Sequence, residues 1–452
     1  MIANPAPVES RNAPGADLVA RYRTRAPRYT SFPTAPQFGP IAMAEVQRAL
    51  ASGTGPMALY AHIPFCRSLC LYCGCHVEIT TRRSVGAEYV DLLLREADLY
   101  AAQLRPGRTL AQLALGGGTP TFLLPDLMER LILGLRERFP FAPDGDFSIE
   151  VDPRTIDAEY LERLVALGFN RFSLGVQDFD PVVLKAVKRH QTTEMTWSAV
   201  QTLRSQGNFD LNFDLMYGLP HQTEETFRAT LETVVAMRPT RVALFLYAHV
   251  PWMKPAQKVV AKQGLPEADL KARLFAIAAG ALRGAGYEAI GMDHFALPGD
   301  ALLEAQASGT LQRNFMGYTT RAGLDQIGLG VSAIGNFGGV YAQDHKNRAT
   351  WSDRVTNGEL PIERGFVLSA EDLERRRVIM DLFCNFRVRF APGAFASERA
   401  RLEALIADGL VVVRDDGVEV TPLGRHFIRN VCSVFDSYFE SDVGERRYSE
   451  TA

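Results

Sequence analysis

Four of the six cysteines in this 452-residue chain lie in one short segment, Cys66-Arg-Ser-Leu-Cys70-Leu-Tyr-Cys73-Gly-Cys75. Three thiolates on one loop suit a cubane iron–sulfur cluster that leaves one iron without a protein ligand, and that open iron can bind a substrate or cofactor. A structural zinc site normally uses two pairs of ligands about a dozen or more residues apart, and no second pair follows here. The spacing therefore favours a cluster, with structural zinc and a disulfide or free-thiol loop as the alternatives.

The other two cysteines indicate the compartment in which this loop acts. Cys384 and Cys432 lie in apolar helical contexts and are expected to be buried thiols rather than ligands. Four clustered cysteines do not form a secreted disulfide framework, so we expect a reducing compartment. The first residues lack the charged and apolar regions of a secretory signal, and no apolar run is long enough to cross a bilayer. The expected location is the cytoplasm.

The composition is that of a globular protein, with 47% hydrophobic and 22% charged residues. The 49 basic and 52 acidic residues give a net charge of −3 and are spread along the chain. No broad electrostatic field therefore attracts nucleic acid or anionic lipid, and binding must depend on local sites.

A repeated strand–helix pattern begins near residue 57. Short apolar runs alternate with amphipathic stretches whose apolar residues recur at i, i+3 and i+4. The predicted strands are residues 57–63, 112–115, 147–151, 171–176, 211–216 and 242–248, and helices between them are 87–100, 126–139, 158–167 and 223–237. Six such strands predict an α/β fold, a partial open (β/α)6-type TIM-like barrel with right-handed crossovers.

The chain on either side of this pattern differs in character, so we predict three parts. Residues 1–54 are polar, Pro-rich and then aromatic and basic, which predicts an N-terminal arm. Residues 55–345 are the barrel with an extension, which includes a helix near 266–285 and a strand at 287–290. Residues 366–452 predict a small, mostly helical, winged-helix-like C-terminal domain: helices at 370–385, 395–408 and 422–438, and a strand–turn–strand at 410–420 whose Asp-Asp-Gly favours a hairpin.

Polar residues and glycines cluster at the carboxyl ends of the predicted strands. They are Tyr60 and His62, then Gly116, Gly117, Gly118 and Thr119, then Glu150, Gln177, Asp214 and Ala248. Ligands of parallel sheets bind at this edge. Each residue also has a plain structural explanation: the glycines as a tight turn, Glu150 as a capping or solvated carboxylate, His62 as a satisfied structural histidine. Together they predict a polar ligand site beside the cysteine loop.

These motifs resemble the radical S-adenosylmethionine enzymes, and the four-cysteine form preceded by His62-Ile-Pro-Phe is similar to the oxygen-independent coproporphyrinogen III oxidase family. The similarity covers nearly the whole chain. It includes Tyr29-Thr-Ser-Phe-Pro-Thr, Gly116-Gly-Gly-Thr-Pro-Thr, Ser148-Ile-Glu-Val-Asp-Pro, Gly175-Val-Gln-Asp-Phe, Asp214-Leu-Met-Tyr-Gly-Leu-Pro, Gly291-Met-Asp-His-Phe, Arg313-Asn-Phe-Met-Gly-Tyr-Thr-Thr, Gly330-Val-Ser-Ala-Ile and Cys384-Asn-Phe-Arg-Val.

The resemblance implies roles for matching residues. Cys66, Cys70 and Cys73 would hold a [4Fe–4S] cluster whose fourth iron is chelated by S-adenosylmethionine, and Cys75 would not be a ligand. Two S-adenosylmethionine molecules would bind side by side. The residues that match the first site are Tyr60, Gly117, Glu150 and Ile334, and those that match the second are Tyr72, Gly118, Thr119, Gln177, Arg189, Asp214 and Ala248. A carboxylate can accept from ribose hydroxyls, and an arginine can pair with a carboxylate.

The resemblance also implies the reaction. A 5′-deoxyadenosyl radical takes hydrogen from the β-carbon of a propionate, loss of carbon dioxide and an electron leaves a vinyl group, and two such steps turn coproporphyrinogen III into protoporphyrinogen IX. The implied partners are coproporphyrinogen III and an electron donor such as flavodoxin or ferredoxin, with no nucleic acid and a monomeric state. The radical requires a closed, dry site, for which the arm and C-terminal domain are candidate lids. Candidate cations for the propionates are Arg21, Arg23, Arg25, Arg28 and Arg313.

Two other functions are compatible with parts of the chain. A related radical S-adenosylmethionine haem chaperone or tetrapyrrole methylase would share the loop, although such relatives lack parts of the motif set. A nucleic-acid binder would use the winged-helix-like tail, whose last predicted helix carries Arg425, His426 and Arg429. The tail is nearly charge-balanced, however, and three acidic residues occupy the wing that would meet phosphate. A structural cap over the barrel is the favoured interpretation.

Overall fold

The structure is a computed structural model that describes residues 15–439 and Tyr448, and its main feature is a twelve-stranded sheet. The strands are β1 (Met57–Ile63), β2 (Phe65–Cys66), β3 (Glu78–Ile79), β4 (Leu110–Gly117), β5 (Phe141–Val151), β6 (Arg171–Gln177), β7 (Asp210–Tyr217), β8 (Arg241–Leu246), β9 (Glu288–Ile290), β10 (His294–Ala296), β11 (Gln312–Asn314), β12 (Gly317–Thr319), β13 (Asp325–Leu329), β14 (Ile334–Phe337), β15 (Val340–Asp344), β16 (Ile362–Val367), β17 (Arg387–Arg389), β18 (Val411–Arg414) and β19 (Gly417–Val420).

The centre of the sheet is parallel and its edges are antiparallel. The order across it is β16, β15, β14, β13, β1, β4, β5, β6, β7, β8, β10 and β9. The strands from β13 to β8 run parallel to their neighbours. The edge strands pair antiparallel. All carboxyl ends of the parallel strands therefore lie at one edge.

Helices cover one face of this sheet. They are α1 (Ala16–Tyr22), α2 (Met43–Ser52), α3 (Ser84–Ala101), α4 (Pro125–Arg138), α5 (Ala158–Ala166), α6 (Pro181–Ala186), α7 (Thr193–Gln206), α8 (Glu224–Met237), α9 (Gln257–Ala261), α10 (Ala268–Gly284), α11 (Ala301–Ser308), α12 (Arg348–Thr356), α13 (Ala370–Asn385), α14 (Ala396–Arg401), α15 (Glu403–Ala407) and α16 (Ile428–Ser433). None of the described helices is both long and apolar enough to cross a membrane.

The two faces of the sheet differ because its strands alternate in polarity. In β6, Phe172, Leu174 and Val176 are buried in the core that the helices share, whereas Ser173 and Gly175 point to the opposite, concave face. β7 repeats the pattern with apolar residues toward the helices and polar residues on the concave side. The barrel interior is thus lined with polar groups rather than filled by apolar side chains, as a binding cavity requires.

The six predicted barrel strands are confirmed, and the sheet contains more than they described. β8 ends at Leu246, two positions before the predicted end, although the Tyr247 amide still donates to the Tyr217 carbonyl of β7. A further parallel strand, β13, pairs with β1 and comes from the extension, where its short, Gly-containing sequence gave no strand signal. The predicted division at 345 stays a prediction, although β15 and β16 pair across it.

The predicted arm is more structured than its composition suggested. Residues 1–14 lie outside the described residues, but α1 and α2 form within the segment, and α2 buries Val46, Ala49 and Leu50 against the barrel core. Between these helices the chain packs on the C-terminal domain. The buried Tyr29 hydroxyl donates to Asp436 at 3.1 Å, and Tyr29 and Phe32 belong to an apolar cluster that the C-terminal residues share with residues 290–318.

The C-terminal domain contains the predicted hairpin and first helix, but two helix predictions are wrong in extent. The helix predicted at 395–408 is two short helices, α14 and α15, that meet at Leu402. The helix predicted at 422–438 is a 3-10 turn over Gly424–Phe427 followed by α16. The turn forms where Gly424 lies against the Leu410 carbonyl, since a Cβ there would stand 1.9 Å from that oxygen. The helix ends before Asp436, whose carboxylate accepts from the Tyr438 amide.

Candidate functional site

The carboxyl ends of the strands bring the predicted polar residues into rows across the concave face. Glu150 of β5 pairs in register with Ser173 of β6, and Asp214 of β7 pairs with Gly175 of β6. Paired residues of neighbouring strands point to the same face. Asp214 accepts hydrogen bonds from Ser173 Oγ at 3.0 Å and Asn212 Nδ2 at 2.8 Å, so its carboxylate is held in place.

The cysteine loop follows β1 and lies at the same edge. Cys66 Sγ is 3.2 Å from Thr119 Oγ1, and Cys70 Sγ is approached by Arg154 Nη2 at 3.5 Å and Arg189 Nη1 at 3.7 Å. Cys75 is exposed, whereas Cys70 is buried. The Cys75 thiol nevertheless belongs to the same group, because it donates to Cys73 and lies within electrostatic range of Glu150 and Cys66.

The electrostatic environment of the loop differs from thiol to thiol. Burial raises the pKa of Cys66 to about 12. A hydrogen bond from Cys75, aided by Lys254 and Arg189 and opposed by burial, lowers the pKa of Cys73 to about 6. Metal coordination deprotonates a thiol outright, so a high pKa without metal does not prevent ligation.

These residues fit an iron–sulfur cluster. Among the residues that the structure describes, no three His, Cys, Asp or Glu side chains converge to hold a single metal ion. A cubane does not need such convergence, because each of its irons takes a separate sulfur. Arg154, Arg189 and Lys254 surround the loop with positive charge that can balance an anionic cluster.

The three glycines after β4 let this strand end approach β1 closely. A Cβ on Gly117 would lie 2.6 Å from the His62 ring, and the residue has φ +113°. A Cβ on Gly118 would lie 2.5 Å from the Pro64 carbonyl oxygen. The Gly117 amide also donates to Glu150 Oε2 at 3.3 Å. The glycines therefore have a packing role as well as any binding role.

Glu150 lines the cavity rather than the outer surface. It is accessible to solvent, yet the protein around it raises its pKa to about 7 by desolvation, with a further contribution from Asp214. Burial likewise raises the pKa of Asp214, against the stabilising bonds from Ser173 and Asn212 and the charge of His294. Two carboxyl groups in one cavity form a strongly polar floor that can accept hydroxyl or ammonium donors.

Arg189 is fully engaged with protein groups. It is 5% exposed and donates to the Gly175 carbonyl, to Tyr72 Oη at 3.2 Å and to Gln191 Oε1 at 2.9 Å. Asp152 lies 3.5 Å away and also binds Arg154 at 2.6 Å. Sequence reasoning did not single out this Asp152–Arg154 pair, although Glu-Val-Asp-Pro-Arg at a strand end is a signal that could have indicated it.

The predicted site residues fall into contacting groups. Tyr60, Gly117 and Glu150 are neighbours, since a Cβ on Gly116 would meet both Tyr60 and Glu150. Ile334 begins β14, beside the strand β13 that pairs with β1. Gln177 has φ +70° at the end of β6, and its side chain lies beside Gly175 and Arg189.

Two further predicted residues lie at the ends of this site. Thr119 contacts Cys66, and Ala248 lies in the loop after β8. His62 has both ring nitrogens partnered, by Tyr60 Oη and the His76 carbonyl, each at 3.0 Å, which supports its structural explanation.

The five candidate arginines for propionates separate in the structure. Arg21 forms an ion pair with Asp408, and Arg25 lies over the Trp252 ring at 5.4 Å. Arg23 is exposed. Arg28 donates to the Leu246 carbonyl at the end of β8, and Arg313 lies between the Tyr318 and Phe383 rings. Arg28 and Arg313 are also within electrostatic range of the same buried carboxylate, Asp293.

Comparison with known proteins gives a consistent family match. The model of the radical SAM superfamily matches residues 60–234. The chain is 41% identical over 450 residues to the oxygen-independent coproporphyrinogen III oxidase of Pseudomonas aeruginosa. This alignment covers 96% of this chain and 98% of the relative. It is 40% identical to that of Escherichia coli, over 96% and 97%. The solved coproporphyrinogen III oxidase of Escherichia coli, a radical SAM enzyme, superposes with a TM-score of 0.89 at 39% identity, over 95% of this chain and 100% of that one.

Proposed function

The chain belongs to the oxygen-independent coproporphyrinogen III oxidases of the radical S-adenosylmethionine superfamily, and from this membership we propose that it converts coproporphyrinogen III to protoporphyrinogen IX. The observation that carries the proposal is the cysteine loop beside a concave, polar strand-end site, in a chain similar to these oxidases along nearly its whole length. The family cofactors are a [4Fe–4S] cluster and S-adenosylmethionine. Structural zinc and nucleic-acid binding have no comparable support.

Cys66, Cys70 and Cys73 are the proposed cluster ligands, and Cys75 is not. Cys70 is buried beside two arginines and Cys66 lies beside Thr119, whereas Cys75 is placed as a hydrogen-bond donor to Cys73, which supports this division. Arg154 and Arg189 would stabilise the negative charge of the bound cluster.

The two proposed S-adenosylmethionine sites follow the contacts along the strand ends. For the first molecule the residues are Tyr60, Gly117, Glu150 and Ile334; for the second they are Tyr72, Gly118, Thr119, Gln177, Arg189, Asp214 and Ala248. The Tyr72–Arg189 bond and the fixed Asp214 carboxylate support the second set. Because Arg189 already contacts Asp152, it can pair with a cofactor carboxylate only as one partner in a network.

When bound, the reduced cluster and S-adenosylmethionine supply a radical that removes a hydrogen atom from the β-carbon of a substrate propionate. The protein's contribution is to hold the reacting carbon beside that source and to exclude water. Asp214 and Glu150 orient polar groups of the bound molecules on the cavity floor. We propose that the segment that carries Tyr29 and the C-terminal region close the barrel end, which the contacts of Arg28 with Leu246 and of Tyr29 with Asp436 support.

The remaining partners are part of the same proposal. An electron donor such as flavodoxin or ferredoxin would reduce the bound cluster. We place the enzyme in the cytoplasm, since a cluster with an open iron suits a reducing compartment. We also propose that it acts as a monomer.

The test is anaerobic reconstitution of the protein with iron and sulfide, followed by incubation with a reductant, S-adenosylmethionine and coproporphyrinogen III. The expected products are 5′-deoxyadenosine and a porphyrinogen that carries two vinyl groups. If 5′-deoxyadenosine forms and no vinyl product appears, the decarboxylation is wrong although radical chemistry remains. If neither forms from protein with a full complement of iron, the proposed function is wrong.

A further inference from the structure

Charged side chains from three parts of the chain meet beside the barrel mouth. Asp293 and His294 connect β9 to β10, Arg313 lies on β11, Arg28 lies on the N-terminal segment, and Arg429 lies on α16. Asp293 is within electrostatic range of His294, Arg313 and Arg28, and Arg429 is within range of both Arg28 and Asp293. We call these five residues the junction cluster.

The junction cluster has more positive than negative charge. Asp293 is its one carboxylate, and its Oδ1 binds His294 Nδ1 at 2.7 Å and lies 3.9 Å from Arg313 Nη1. Asp293 Oδ2 and two nitrogens of Arg313, Nε and Nη1, are buried without a hydrogen-bond partner in the described part of the chain. The guanidinium groups of Arg313 and Arg28 beside this one carboxylate leave positive charge that a further anion would stabilise.

Among the described residues, the neighbouring acidic groups Asp214 and Asp436 do not balance this charge, because each has other partners. Asp214 is bound by Ser173 and Asn212, and Asp436 accepts from the Tyr29 hydroxyl and the Tyr438 amide. Arg28 donates to the Leu246 carbonyl at 3.3 Å and forms no ion pair with any described carboxylate.

His294 connects the junction cluster to the cavity floor. It pairs in register with Ala243 of β8, and Ala243 pairs with Asp214 of β7, so all three point to the concave face. The small Ala243 side chain leaves space between Asp214 and the imidazole. Nε2 of His294 has no hydrogen-bond partner among the described residues and is not closed off from solvent.

The imidazole is held in a fixed direction. Its Nδ1 faces Asp293, and its ring meets Tyr318 and Phe245 edge to face, with centroids 5.0 and 5.9 Å away. Arg313 is stacked on Tyr318 at 4.7 Å and on Phe383 at 5.2 Å, which fixes the guanidinium behind Asp293. As an imidazolium between Asp293 and an incoming anion, His294 would donate from both ring nitrogens.

We propose that His294 and Arg28 receive a carboxylate of the substrate, and that Asp293 and Arg313 are positioning residues that hold the imidazole toward it. This inference rests on the proposed function, whose substrate carries four propionate carboxylates. The row from Asp214 to His294 places this carboxylate next to the proposed second S-adenosylmethionine site.

The test is binding of coproporphyrin III, the oxidised and unreactive macrocycle with the same carboxylates, to cluster-loaded protein without reductant. Fluorescence titration would compare the wild type with His294→Gln, Arg28→Met and their double variant. Arg21→Met is the matched control, because Arg21 lies on the same segment but pairs with Asp408. Loss of one charge-assisted hydrogen bond weakens binding by about tenfold to a hundredfold.

The expected result is weaker binding by each of the first two variants and binding within about twofold of the wild type by the control. In turnover assays, His294→Gln should also raise the ratio of 5′-deoxyadenosine to vinyl product, because a loosely held substrate lets the radical be consumed elsewhere. Asp293→Asn combined with His294→Gln should weaken binding no more than His294→Gln alone, since both changes act through one imidazole.

Three outcomes would overturn this assignment. Unchanged binding in His294→Gln and Arg28→Met would show that the carboxylate lies elsewhere. Equal weakening in Arg21→Met would show general damage to the segment. If Asp293→Asn weakens binding as much in the His294→Gln background as in the wild type, Asp293 does not act through the imidazole. If instead the wild type neither binds coproporphyrin III nor converts the porphyrinogen, the proposed function itself is wrong, and the assignment of the carboxylate is wrong with it.

Discussion

The carboxyl groups of Glu96 and Asp344 face each other in hydrogen-bonding contact inside the protein, 0% and 1% exposed. Glu96 Oε2 accepts from the Gly330 amide at 2.7 Å, and the Trp351 side chain also interacts with Glu96. Among the described residues, Glu96 Oε1 and Asp344 Oδ2 have no donor in full hydrogen-bond geometry. A proton held between the two carboxyl groups supplies the missing donor. Burial raises the pKa of Glu96 to about 7 and that of Asp344 well above its usual value. The pair fixes the turn that leads from β13 to Ile334.

This pair should make stability depend on pH. In the folded protein Glu96 keeps its proton up to about pH 7, whereas the unfolded chain loses it near 4.5. The free energy of unfolding should therefore fall as the pH rises from about 4.5 through about 7, by on the order of 3 kcal/mol. Urea denaturation at a series of pH values measures it. Asp344→Asn should flatten this slope, and Glu45→Gln, an exposed carboxylate paired with Arg48, should leave it unchanged. Equal slopes in all three proteins would contradict the shared proton.

The division of the cysteines predicts different behaviour of two serine variants. Cys70→Ser should lose the cluster's visible absorption and most of its iron after anaerobic reconstitution, because Cys70 lies buried beside Arg154 and Arg189. Cys75→Ser should retain both, since Cys75 is exposed and a serine hydroxyl can still donate to Cys73. Iron and sulfide analysis of the two variants shows which cysteine the cluster needs. Equal loss would mean that the ligands are misassigned.

Gly117→Ala should damage the site through the backbone. Its φ of +113° suits glycine, and the added methyl group would lie 2.6 Å from the His62 ring. We expect a loss of about 1–3 kcal/mol in the free energy of unfolding and weaker S-adenosylmethionine binding. Gly74→Ala is the control, because Gly74 lies in the cysteine loop with nothing within 4 Å of its Cβ position. Denaturation and equilibrium binding measure both effects, and similar losses in both variants would show that the loop tolerates no methyl group anywhere.

Asp152→Asn should be the most destabilising of these changes. Asp152 contacts both Arg154 and Arg189, and their charges together with hydrogen bonds hold its pKa below the usual range despite burial. Removing its charge leaves two arginines without their carboxylate, at a cost of about 3–5 kcal/mol. Chemical denaturation measures the loss. Asp91→Asn, which breaks an exposed ion pair with Arg130, should cost at most about 1 kcal/mol. A comparable cost in the two variants would mean that the Asp152 network is as solvent-screened as the surface pair.

The sequence predicted the repeated strand–helix pattern and the polar residues at the ends of the strands. The six strands are found because their apolar runs are regular, and the row from Glu150 to Asp214 follows from the geometry of parallel sheets. Contacts between distant segments carried no such signal. Glu96 lies within a helix of ordinary amphipathic pattern and reads there as a solvated charge, until Asp344, 248 positions later, is folded against it. The position of β13 was likewise not predictable from its own residues, because it is a strand only through its parallel pairing with β1.

The contact between Tyr29 and Asp436 joins positions 407 residues apart. The same segment also reaches the barrel much earlier in the chain, where Arg28 donates to the Leu246 carbonyl at the end of β8. The barrel can assemble earlier, since domains form as their residues emerge. The contacts of this segment with both Leu246 and Asp436 therefore connect the finished barrel to residues near the other end of the described chain, and they can all form only once both parts are in place.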